Sequence, residues 1–251
     1  MNFHVLTIFP EFFAGPFAHG VVKRAIDTGL LQIRIHNLRN WTSDRHQSVD
    51  DRPFGGGEGM ILKAEPIFAA VEQIVGQALP PANPSVRIIL LSAQGRLFDQ
   101  AMANRLASES TELLLICGRY EGVDERVAEH LADEEISIGN YVLSGGELAA
   151  AVIIDAVARL LPGVLGNETS AAFESFQDSG HGEGLLDCPH WTRPAEFRGW
   201  RVPEVLLNGN HREIRRFRKQ AALEKTARLR SDLLKPANPA DSIRSQGKIE
   251  D

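Results

Sequence analysis

Two stretches predict the fold most directly: Cys117-Gly118-Arg119-Tyr120-Glu121-Gly122-Val123-Asp124-Glu125-Arg126 and Ser137-Ile138-Gly139-Asn140-Tyr141-Val142-Leu143-Ser144-Gly145-Gly146-Glu147. Each follows an apolar run, leads into a stretch with helical spacing, and places glycines beside carboxylates. Glycine allows the backbone to approach a ligand closely or to adopt a positive φ. We therefore expect two loops at the edge of an α/β sheet that form a binding site lined mainly by main-chain atoms.

Outward from these loops, apolar runs that are typical of buried strands alternate with stretches of helical spacing. The strands are expected at residues 3–9, 31–35, 86–91 and 112–117, and the helices near residues 21–27, 67–79, 98–107 and 123–131. This alternation predicts a mainly parallel sheet with helices on both faces. Ligands bind such sheets outside the carboxyl ends of the strands, where both glycine loops and Ser92-Ala93-Gln94-Gly95 are expected.

The longest helix is expected to begin at Ser144, whose side chain would cap it while Glu147 completes a capping box. It is expected to end at Pro162-Gly163. A core stripe is predicted along one face at Ala149, Val152, Ile153, Ala156, Val157 and Leu160. Asp155 and Arg159 are four residues apart and share a face near the end of this helix.

The chain divides by composition into four parts. Residues 1–165 are interpreted as one α/β domain, and residues 166–186, rich in Gly, Asn, Ser and acidic residues, as a flexible linker. Long loops in compact proteins are also often functional. Residues 187–234 are expected to form a small helical domain, whose main helix would be capped by Asn210 and run to about Arg230. The Pro-, Ser- and charge-rich residues 235–251 are predicted to be disordered.

The net charge of −6 conceals an asymmetry. Residues 193–230 contain eleven Lys and Arg but four Asp and Glu, so this segment carries +7 and the remainder −13. On the helix after Asn210, four cationic residues three or four positions apart share one face: Arg212, Arg215, Arg216 and Lys219. On charge alone, a phosphate-binding surface and a solvated charged face explain this pattern about equally well.

The 251-residue chain is large enough for one sizeable core and a small second unit. No apolar run is long enough to cross a bilayer, and residues 1–4 lack the features of a signal peptide. A cytoplasmic protein without a membrane partner is therefore expected. Cys117 and Cys188 are accordingly expected to be reduced thiols rather than a disulfide.

Several familiar motifs are missing from the sequence. Ile8-Phe9-Pro10-Glu11-Phe12 stands where G-x-G-x-x-G would follow the first strand, and there is no P-loop. This disfavours a dehydrogenase, a P-loop enzyme and the common Rossmann-type methyltransferase. The eight histidines show no zinc-binding spacing, and no G-x-S-x-G esterase motif is present.

Five motifs, in order along residues 1 to about 234, resemble the bacterial tRNA (guanine-N1)-methyltransferases that act at position 37, beside the anticodon. Two of them are the glycine loops quoted above. The others are Asp50-Asp51-Arg52-Pro53-Phe54-Gly55-Gly56-Gly57, Leu185-Leu186-Asp187-Cys188-Pro189-His190-Trp191-Thr192-Arg193-Pro194 and Gly209-Asn210-His211-Arg212-Glu213-Ile214-Arg215-Arg216. Several long motifs in the same order are much more specific than any single glycine pattern.

The resemblance implies a SPOUT-type fold, in which a trefoil knot in the C-terminal half of the α/β domain binds S-adenosylmethionine, largely through backbone groups. Such a knot is an exception to the usual topology of proteins. The implied cofactor contacts are Leu91, Ser92, Ala93 and Gly95; Gly118, Tyr120, Glu121 and Gly122; and Ser137, Ile138, Gly139, Tyr141, Leu143, Gly145 and Gly146. Ala93 replaces a frequent proline of the family, and Asn140 replaces a common aspartate and so removes a charge near the cofactor loop.

The resemblance also implies three catalytic residues. Glu121 matches the carboxylate near the methionine end of the cofactor, and Arg159 matches the active-site arginine at a helix end. Without the resemblance, these two would be a carboxylate in a turn and a cation favoured by the helix dipole. Glu174 takes the place of the linker aspartate that serves as general base for the N1 proton of guanine. The linker is longer here than in the family after Phe176, so Asp178 stays the alternative base.

For the RNA, the resemblance implies that the loop containing Asp50, Arg52, Gly55, Gly56 and Gly57 holds the target guanine and that the basic C-terminal helix contacts phosphates. It further implies a homodimer with each site at the subunit interface, and a requirement for Mg²⁺, for which the sequence has no ligand motif. Two other functions stay open. A related knotted methyltransferase would label another RNA position, and a catalytically idle RNA-binding module would bind the cofactor without transferring a methyl group.

Overall fold

The computed structural model describes residues 1–76, 86–166, 174–177 and 184–234. The chain falls into two compact units, Met1–Gly166 and Asn167–Asp251. The predicted disordered tail at 235–251 and Asp178, the alternative base, lie outside the described residues, as does most of the flexible linker predicted at 166–186.

The first unit is built around a five-stranded sheet. Its strands, in chain order, are β1 (Asn2–Thr7), β2 (Gln32–Asn37), β3 (Asp50–Asp51), β4 (Ile61–Leu62), β5 (Val86–Leu97), β6 (Glu112–Cys117) and β7 (Glu134–Ser137). The central sheet has the order β2-β1-β6-β5-β7, and all four neighbouring pairs are parallel. The short strands β3 and β4 form a separate antiparallel pair.

The helices of this unit are α1 (Gly20–Asp27), α2 (Ala64–Val75), α3 (Gln100–Glu109), α4 (Glu125–His130) and α5 (Glu147–Ala158). The prediction of a mixed α/β fold with a mainly parallel central sheet is confirmed. Strand β7 was not predicted, because its four residues include two glutamates and one serine and so lack the apolar composition of a buried strand.

The sheet separates two apolar cores, as the alternation of side chains along a strand requires. On β6, Leu113 and Leu115 belong to a core that also contains residues of α1, α3 and α5. Leu114 and Ile116 point to the opposite face and belong to a core with residues of α2 and α4. These side chains are almost completely buried, and each contributes about 1.5–3 kcal/mol through removal of its surface from water.

Strand β5 is interrupted in a way that shapes the sheet edge. Leu91 and Arg96 both pair with Ile136 of β7, so residues 92–95 leave the sheet and return to it. Gly95 allows this return, since a Cβ atom there would lie 2.5 Å from the backbone of Glu135 and Ile136. The bulge places residues 92–95 at the carboxyl ends of the strands.

The predicted start of α5 is wrong. The helix begins at Glu147 and is preceded by Gly146, with no side-chain hydrogen bond capping it. Ser144 therefore does not cap the helix. Glu147 cannot complete a capping box, because its carboxylate is turned inward and accepts hydrogen bonds from the side chains of Thr7 and Arg119.

The predicted core stripe of α5 is partly wrong. Val152 is 45% exposed, whereas Ile154, which was not in the stripe, is completely buried. Nearly every position of this helix is apolar, so the spacing of apolar residues could not by itself identify the buried face.

The second unit contains a hairpin formed by β8 (Glu196–Phe197) and β9 (Trp200–Arg201), followed by helix α6 (His211–Leu229). The cap predicted for α6 is confirmed, since the side chain of Asn210 accepts hydrogen bonds from the backbone N–H groups of Arg212 and Glu213. With 19 residues, α6 is longer than α5, which has 12, so α5 is not the longest helix as predicted. None of the helices in the described part of the chain combines the length and apolar character needed to cross a membrane.

Candidate active site

A cavity of about 940 Å³ lies in the first unit, at the carboxyl ends of β5, β6 and β7. Its wall is formed mainly by three loops, which follow Leu91, Cys117 and Ser137, together with residues around β3. Ligand-binding clefts commonly have volumes of about 300–1,000 Å³. The cavity therefore lies where an open parallel sheet is expected to bind a ligand.

Fourteen of the fifteen predicted cofactor contacts line this cavity. They are Leu91, Ser92 and Ala93; Gly118, Tyr120, Glu121 and Gly122; and Ser137, Ile138, Gly139, Tyr141, Leu143, Gly145 and Gly146. Gly95 does not line it and instead packs against the backbone of Glu135 and Ile136. The structure thus brings three separate loops of the sequence to one site.

The loop after β6 is joined to the chain before β4 by backbone hydrogen bonds. Glu121 N–H donates to Met60 O at 3.0 Å, and Leu62 N–H donates to Gly122 O at 3.0 Å. The side chain of Glu121 lies directly over Gly59, where a Cβ atom would approach its Cγ to 2.5 Å. The absence of a side chain at Gly59 therefore allows the observed position of the Glu121 carboxylate.

The loop after β7 is closely packed against the loop after β6. Gly146 N–H donates to Gly118 O at 2.9 Å, and Arg119 and Gly145 form an isolated antiparallel bridge. A Cβ atom at Gly146 would lie 2.8 Å from the Cα atom of Cys117. Only glycine fits between these two backbones.

The two loops are also joined by side chains that the sequence did not identify. The guanidinium of Arg119 donates to the Glu147 carboxylate, with an Nε–Oε2 distance of 3.0 Å, and the hydroxyl of Thr7 donates to the other oxygen at 2.7 Å. Arg119 and Glu147 belong to the two glycine motifs and Thr7 to neither, and no spacing in the sequence indicates that the three side chains meet. A glutamate after two glycines resembles an ordinary first-turn acid of a helix.

Two pKa shifts describe the charge around the cavity. Burial raises the pKa of the Cys117 thiol well above its usual value, and the nearby Glu147 carboxylate raises it further. Cys117 is therefore a neutral, unreactive thiol. At the cavity rim, the hydrogen bond from the Arg126 side chain lowers the pKa of the Asp124 carboxyl group, which stays ionised near neutral pH.

The three predicted catalytic residues are found in different places. Glu121 lines the cavity. Arg159 directly follows α5, is partly exposed and does not line the cavity. Glu174 belongs to the second compact unit.

The stretch around Glu174 is held within its own unit. Phe176 N–H donates to Leu185 O at 2.8 Å, and the hydroxyl of Ser175 accepts from Asp187 N–H at 2.9 Å. Phe176 adopts a φ of 70°, a backbone conformation that bulky residues rarely adopt. Such a conformation persists only where the surrounding contacts fix it.

The predicted target-guanine loop contributes to the cavity in part. Arg52 and Phe54 line it, and Phe54 is fully exposed to solvent. Asp50 lies in β3, paired with Leu62, and does not line the cavity. The glycines at 55, 56 and 57 all have positive φ values and are also outside its lining.

On α6, the four cations predicted to contact phosphate are exposed: Arg212, Arg215, Arg216 and Lys219. The next lysine, Lys225, instead donates to the backbone oxygen of Asp187 at 3.0 Å. The first half of α6 therefore carries an exposed cationic face, whereas Lys225 in its second half stabilises the fold of its own unit.

Comparison with known proteins agrees with these features. The family model described as tRNA (Guanine-1)-methyltransferase TrmD matches residues 1–236. A tRNA (guanine-N(1)-)-methyltransferase of Koribacter versatilis is 57% identical over 94% of this chain and 93% of its own length. Proteins of the same name from Geobacter metallireducens and Dehalococcoides mccartyi are 52% and 51% identical, over 94% and 96% of this chain and 92% and 94% of their own lengths.

The protein has a parallel sheet with a loop-lined cavity at the carboxyl ends of its strands. These features place it in the class of α/β proteins that bind ligands at this edge of the sheet. The family match and the relatives make the class more specific. The chain belongs to the tRNA (guanine-N1)-methyltransferase family.

Proposed function

We propose that this protein is a cytoplasmic enzyme that transfers a methyl group from S-adenosylmethionine to N1 of guanosine at position 37 of tRNA. The observation that carries the proposal is the cavity of about 940 Å³ formed by the three loops that the family assigns to the cofactor, in a chain that matches the family over residues 1–236. S-adenosylmethionine supplies an electrophilic methyl group on a sulfonium. The protein must therefore bind it, orient the guanine, and remove the N1 proton.

We propose that the cofactor binds in this cavity, largely to backbone groups of its three loops. The close approach of Gly95 to Glu135 and of Gly146 to Cys117 supports the proposal that the chain forms the trefoil knot of the family, since threaded segments must pass within van der Waals distance of each other. A neutral Cys117 beneath the loops leaves the sulfonium no competing thiolate nucleophile.

Glu121 is proposed to face the sulfonium, where its negative charge would help to hold the cofactor in a reactive orientation. The Glu121 side chain is packed closely over Gly59. This packing supports a role in which the exact position of the carboxylate matters as well as its charge. Misplacing a reacting group by about 1 Å can reduce a rate about 100-fold.

Gly59→Ala tests this placement. The new methyl group would occupy the space of the Glu121 side chain, so we expect the single-turnover rate constant of methyl transfer to fall about 10- to 100-fold. The measurement is single-turnover methyl transfer at saturating cofactor.

Gly29→Ala is the matched control, because Gly29 has a similar φ of 74° but nothing within 4 Å of a new Cβ. Equal losses in both variants would attribute the effect to backbone strain and contradict the proposed role.

The chemical step requires a base. We propose that the Glu174 carboxylate takes the N1 proton, the N1 lone pair attacks the methyl carbon, and the C–S bond breaks to leave S-adenosylhomocysteine. Charge that develops on O6 would be stabilised by the Arg159 guanidinium. The contacts that fix Ser175 and Phe176 support this assignment, because a general base must be held in place.

The target nucleotide is proposed to enter beside Arg52 and Phe54, which line the cavity. A base must leave the stack to be methylated, and single-stranded RNA loops are commonly read by stacking on aromatic rings. The positive φ values at Gly55, Gly56 and Gly57 allow the backbone to pass close to RNA without side chains in between.

The exposed cationic face of α6 is proposed to contact tRNA phosphates. Replacing both Arg215 and Arg216 by alanine should weaken tRNA binding and reduce the slope of log K against log salt by roughly one for each lost phosphate contact. Filter binding between about 50 and 200 mM salt measures this slope. Arg228→Ala is the control, because Arg228 is exposed but lies on the opposite side of the same helix. If the double variant keeps the wild-type affinity and slope, the basic face is only a solvated surface.

A homodimer with each site shared between subunits is part of the proposal. Leu148 and Val152, one turn apart on α5, are 51% and 45% exposed, and an apolar strip of this kind supports a contact with a second copy.

Arg159→Ala and Glu174→Ala proteins, each nearly inactive alone, should recover activity when mixed as heterodimers if the two residues come from different subunits. Light scattering that shows monomers at the assay concentration would contradict this proposal.

Magnesium, which the family resemblance implies, is assigned no step. Among the residues that the structure describes, the group of three candidate metal ligands is Asp187, Cys188 and His190. Thiol and imidazole are not the oxygen ligands that Mg²⁺ prefers. This group therefore does not fit a magnesium site.

The experiment that tests the proposed function is methyl transfer to a tRNA transcript with guanosine at position 37, followed by mapping of the product. Label at N1 of that guanosine is expected. Label at another RNA position would favour a related methyltransferase, and cofactor binding without any transfer would favour an idle RNA-binding module.

A further inference from the structure

A largely buried ion pair between Arg119, which lines the cavity, and Glu147 joins three segments of the first unit. The Glu147 side chain is 2% exposed and the Arg119 side chain 20%. Glu147 accepts from Arg119 Nε at 3.0 Å and from the Thr7 hydroxyl at 2.7 Å, and Arg119 Nη2 lies 2.9 Å from the same carboxylate. Both carboxylate oxygens are therefore bonded, as a buried charge requires.

Stability alone does not explain this ion pair. The cost of removing two charges from water often equals or exceeds their attraction, so apolar side chains of similar volume would stabilise the fold at least as well. The surroundings are apolar, since Ala149 and Ala150 of α5 and Cys117 of β6 belong to the same core. The pair therefore indicates a requirement for a defined geometry.

The ion pair fixes the position of the two glycine loops relative to each other. Arg119 Nη1 donates to the backbone oxygen of Ser144 at 3.1 Å, while its own backbone pairs with Gly145. The guanidinium lies 4.6 Å from the ring centre of Phe9, and Phe9 N–H donates to the Thr7 hydroxyl at 3.0 Å. A single arginine thus fixes the loop after β6, the loop before α5 and the end of β1 relative to each other.

The ion pair lies next to the groups proposed to act on the cofactor. Arg119 itself lines the cavity, as do its neighbours Gly118 and Tyr120 and the nearby Glu121, whereas Glu147 and Thr7 do not. A site built from backbone groups has few side chains that can adjust to a ligand. The relative position of its loops therefore determines both the affinity for the ligand and its orientation.

We propose that Arg119, Glu147 and Thr7 are positioning residues for methyl transfer, which hold the two glycine loops at the separation that S-adenosylmethionine binding requires. This inference rests on the proposed function. Thr7 and Glu147 do not line the cavity, so their effect on the cofactor is exerted through Arg119 and through the loop residues Gly118, Glu121 and Gly146.

Arg119→Lys is the first test. Lysine keeps the charge and most of the stem, but it lacks the planar fork that reaches both Glu147 and the Ser144 oxygen. The dissociation constant of S-adenosylmethionine, measured by calorimetry, should rise about 10- to 100-fold, the loss expected for charged hydrogen bonds. The KM for tRNA should change less than about two-fold, because the cationic face of α6 is unaltered.

Arg105→Lys is the matched control. Arg105 forms a comparable ion pair with Glu134 at 2.7 Å, with side-chain exposures of 27% and 19%, and neither residue lines the cavity. Both lysine variants should lose a similar amount of thermal stability, but cofactor affinity should fall only in Arg119→Lys. Equal cofactor affinity in Arg119→Lys and wild type, or an equal loss in Arg105→Lys, would overturn the inference.

Two further variants keep the test independent of folding defects. Thr7→Val removes only the hydroxyl, and it should raise the cofactor dissociation constant about 3- to 10-fold. Combining Arg119→Lys with Glu147→Gln should cost less affinity than the sum of the two single losses, because both changes disturb the Arg119–Glu147 contact; full additivity would overturn the inference. Failure of the wild-type protein to bind S-adenosylmethionine would instead contradict the proposed function.

Discussion

Gly146→Val is expected to abolish binding of S-adenosylmethionine. A Cβ atom at this position would lie 2.8 Å from Cys117 Cα and 3.1 Å from Gly118 N. Both are backbone atoms, of the last residue of β6 and of the residue after it, and they cannot move aside as the end of a side chain can. Valine adds two further methyl groups, so the loops after β6 and β7 must separate and the 2.9 Å hydrogen bond from Gly146 to Gly118 must break.

Calorimetry with S-adenosylmethionine and S-adenosylhomocysteine measures this loss, which we expect to exceed about 100-fold in affinity for both ligands. The backbone at Gly146, with φ −78° and ψ −8°, suits any residue, so the effect is one of space alone. Gly15→Val is the control, since Gly15 has a similar φ of −85° and no atom within 4 Å of a new Cβ. Wild-type affinity in folded Gly146→Val protein would show that the cofactor does not depend on the contact between these loops.

The sheet and the position of the cavity could be predicted because they depend on local signals. The side chains of β6 alternate between two cores, and a strand buried on both faces is recognisable as an unbroken apolar run. Glycines at the ends of such strands identify where backbones meet. The contacts of Gly59 with Glu121 could not be predicted, because they join residues that are sixty-two positions apart.

The roles of Glu147 and Ser144 show why the rest of the site could not be predicted. By local rules, a serine three residues before a glutamate forms a capping box. In the structure, Glu147 is bonded to Thr7 and Arg119 instead. These two partners, an arginine and a threonine brought near by the tertiary fold, replace the backbone hydrogen bond of a capping box. They are distant in sequence, so no local pattern predicts them. The same applies to Val152, whose exposure depends on which neighbours α5 meets.

Glu174→Gln is expected to reduce methyl transfer by about two or more orders of magnitude, the contribution typical of general base catalysis. Glutamine keeps the size and hydrogen-bonding shape of the side chain but cannot accept the N1 proton of guanine. The loss belongs to the transition state, so the affinities for cofactor and tRNA should stay nearly unchanged. Single-turnover kinetics with saturating tRNA and cofactor measures the chemical step separately from binding.

The structure makes the companion variants of Glu174 informative. Ser175 and Phe176 are fixed by hydrogen bonds to Asp187 and Leu185, and the positive φ of Phe176 restricts the backbone directly after Glu174. Glu174→Asp should keep much of the activity, because aspartate is the residue that the family has at this position of the linker. Asp178→Asn should be mild. If Asp178→Asn is the inactive variant while Glu174→Gln stays active, then Asp178 is the base and the assignment of Glu174 is wrong.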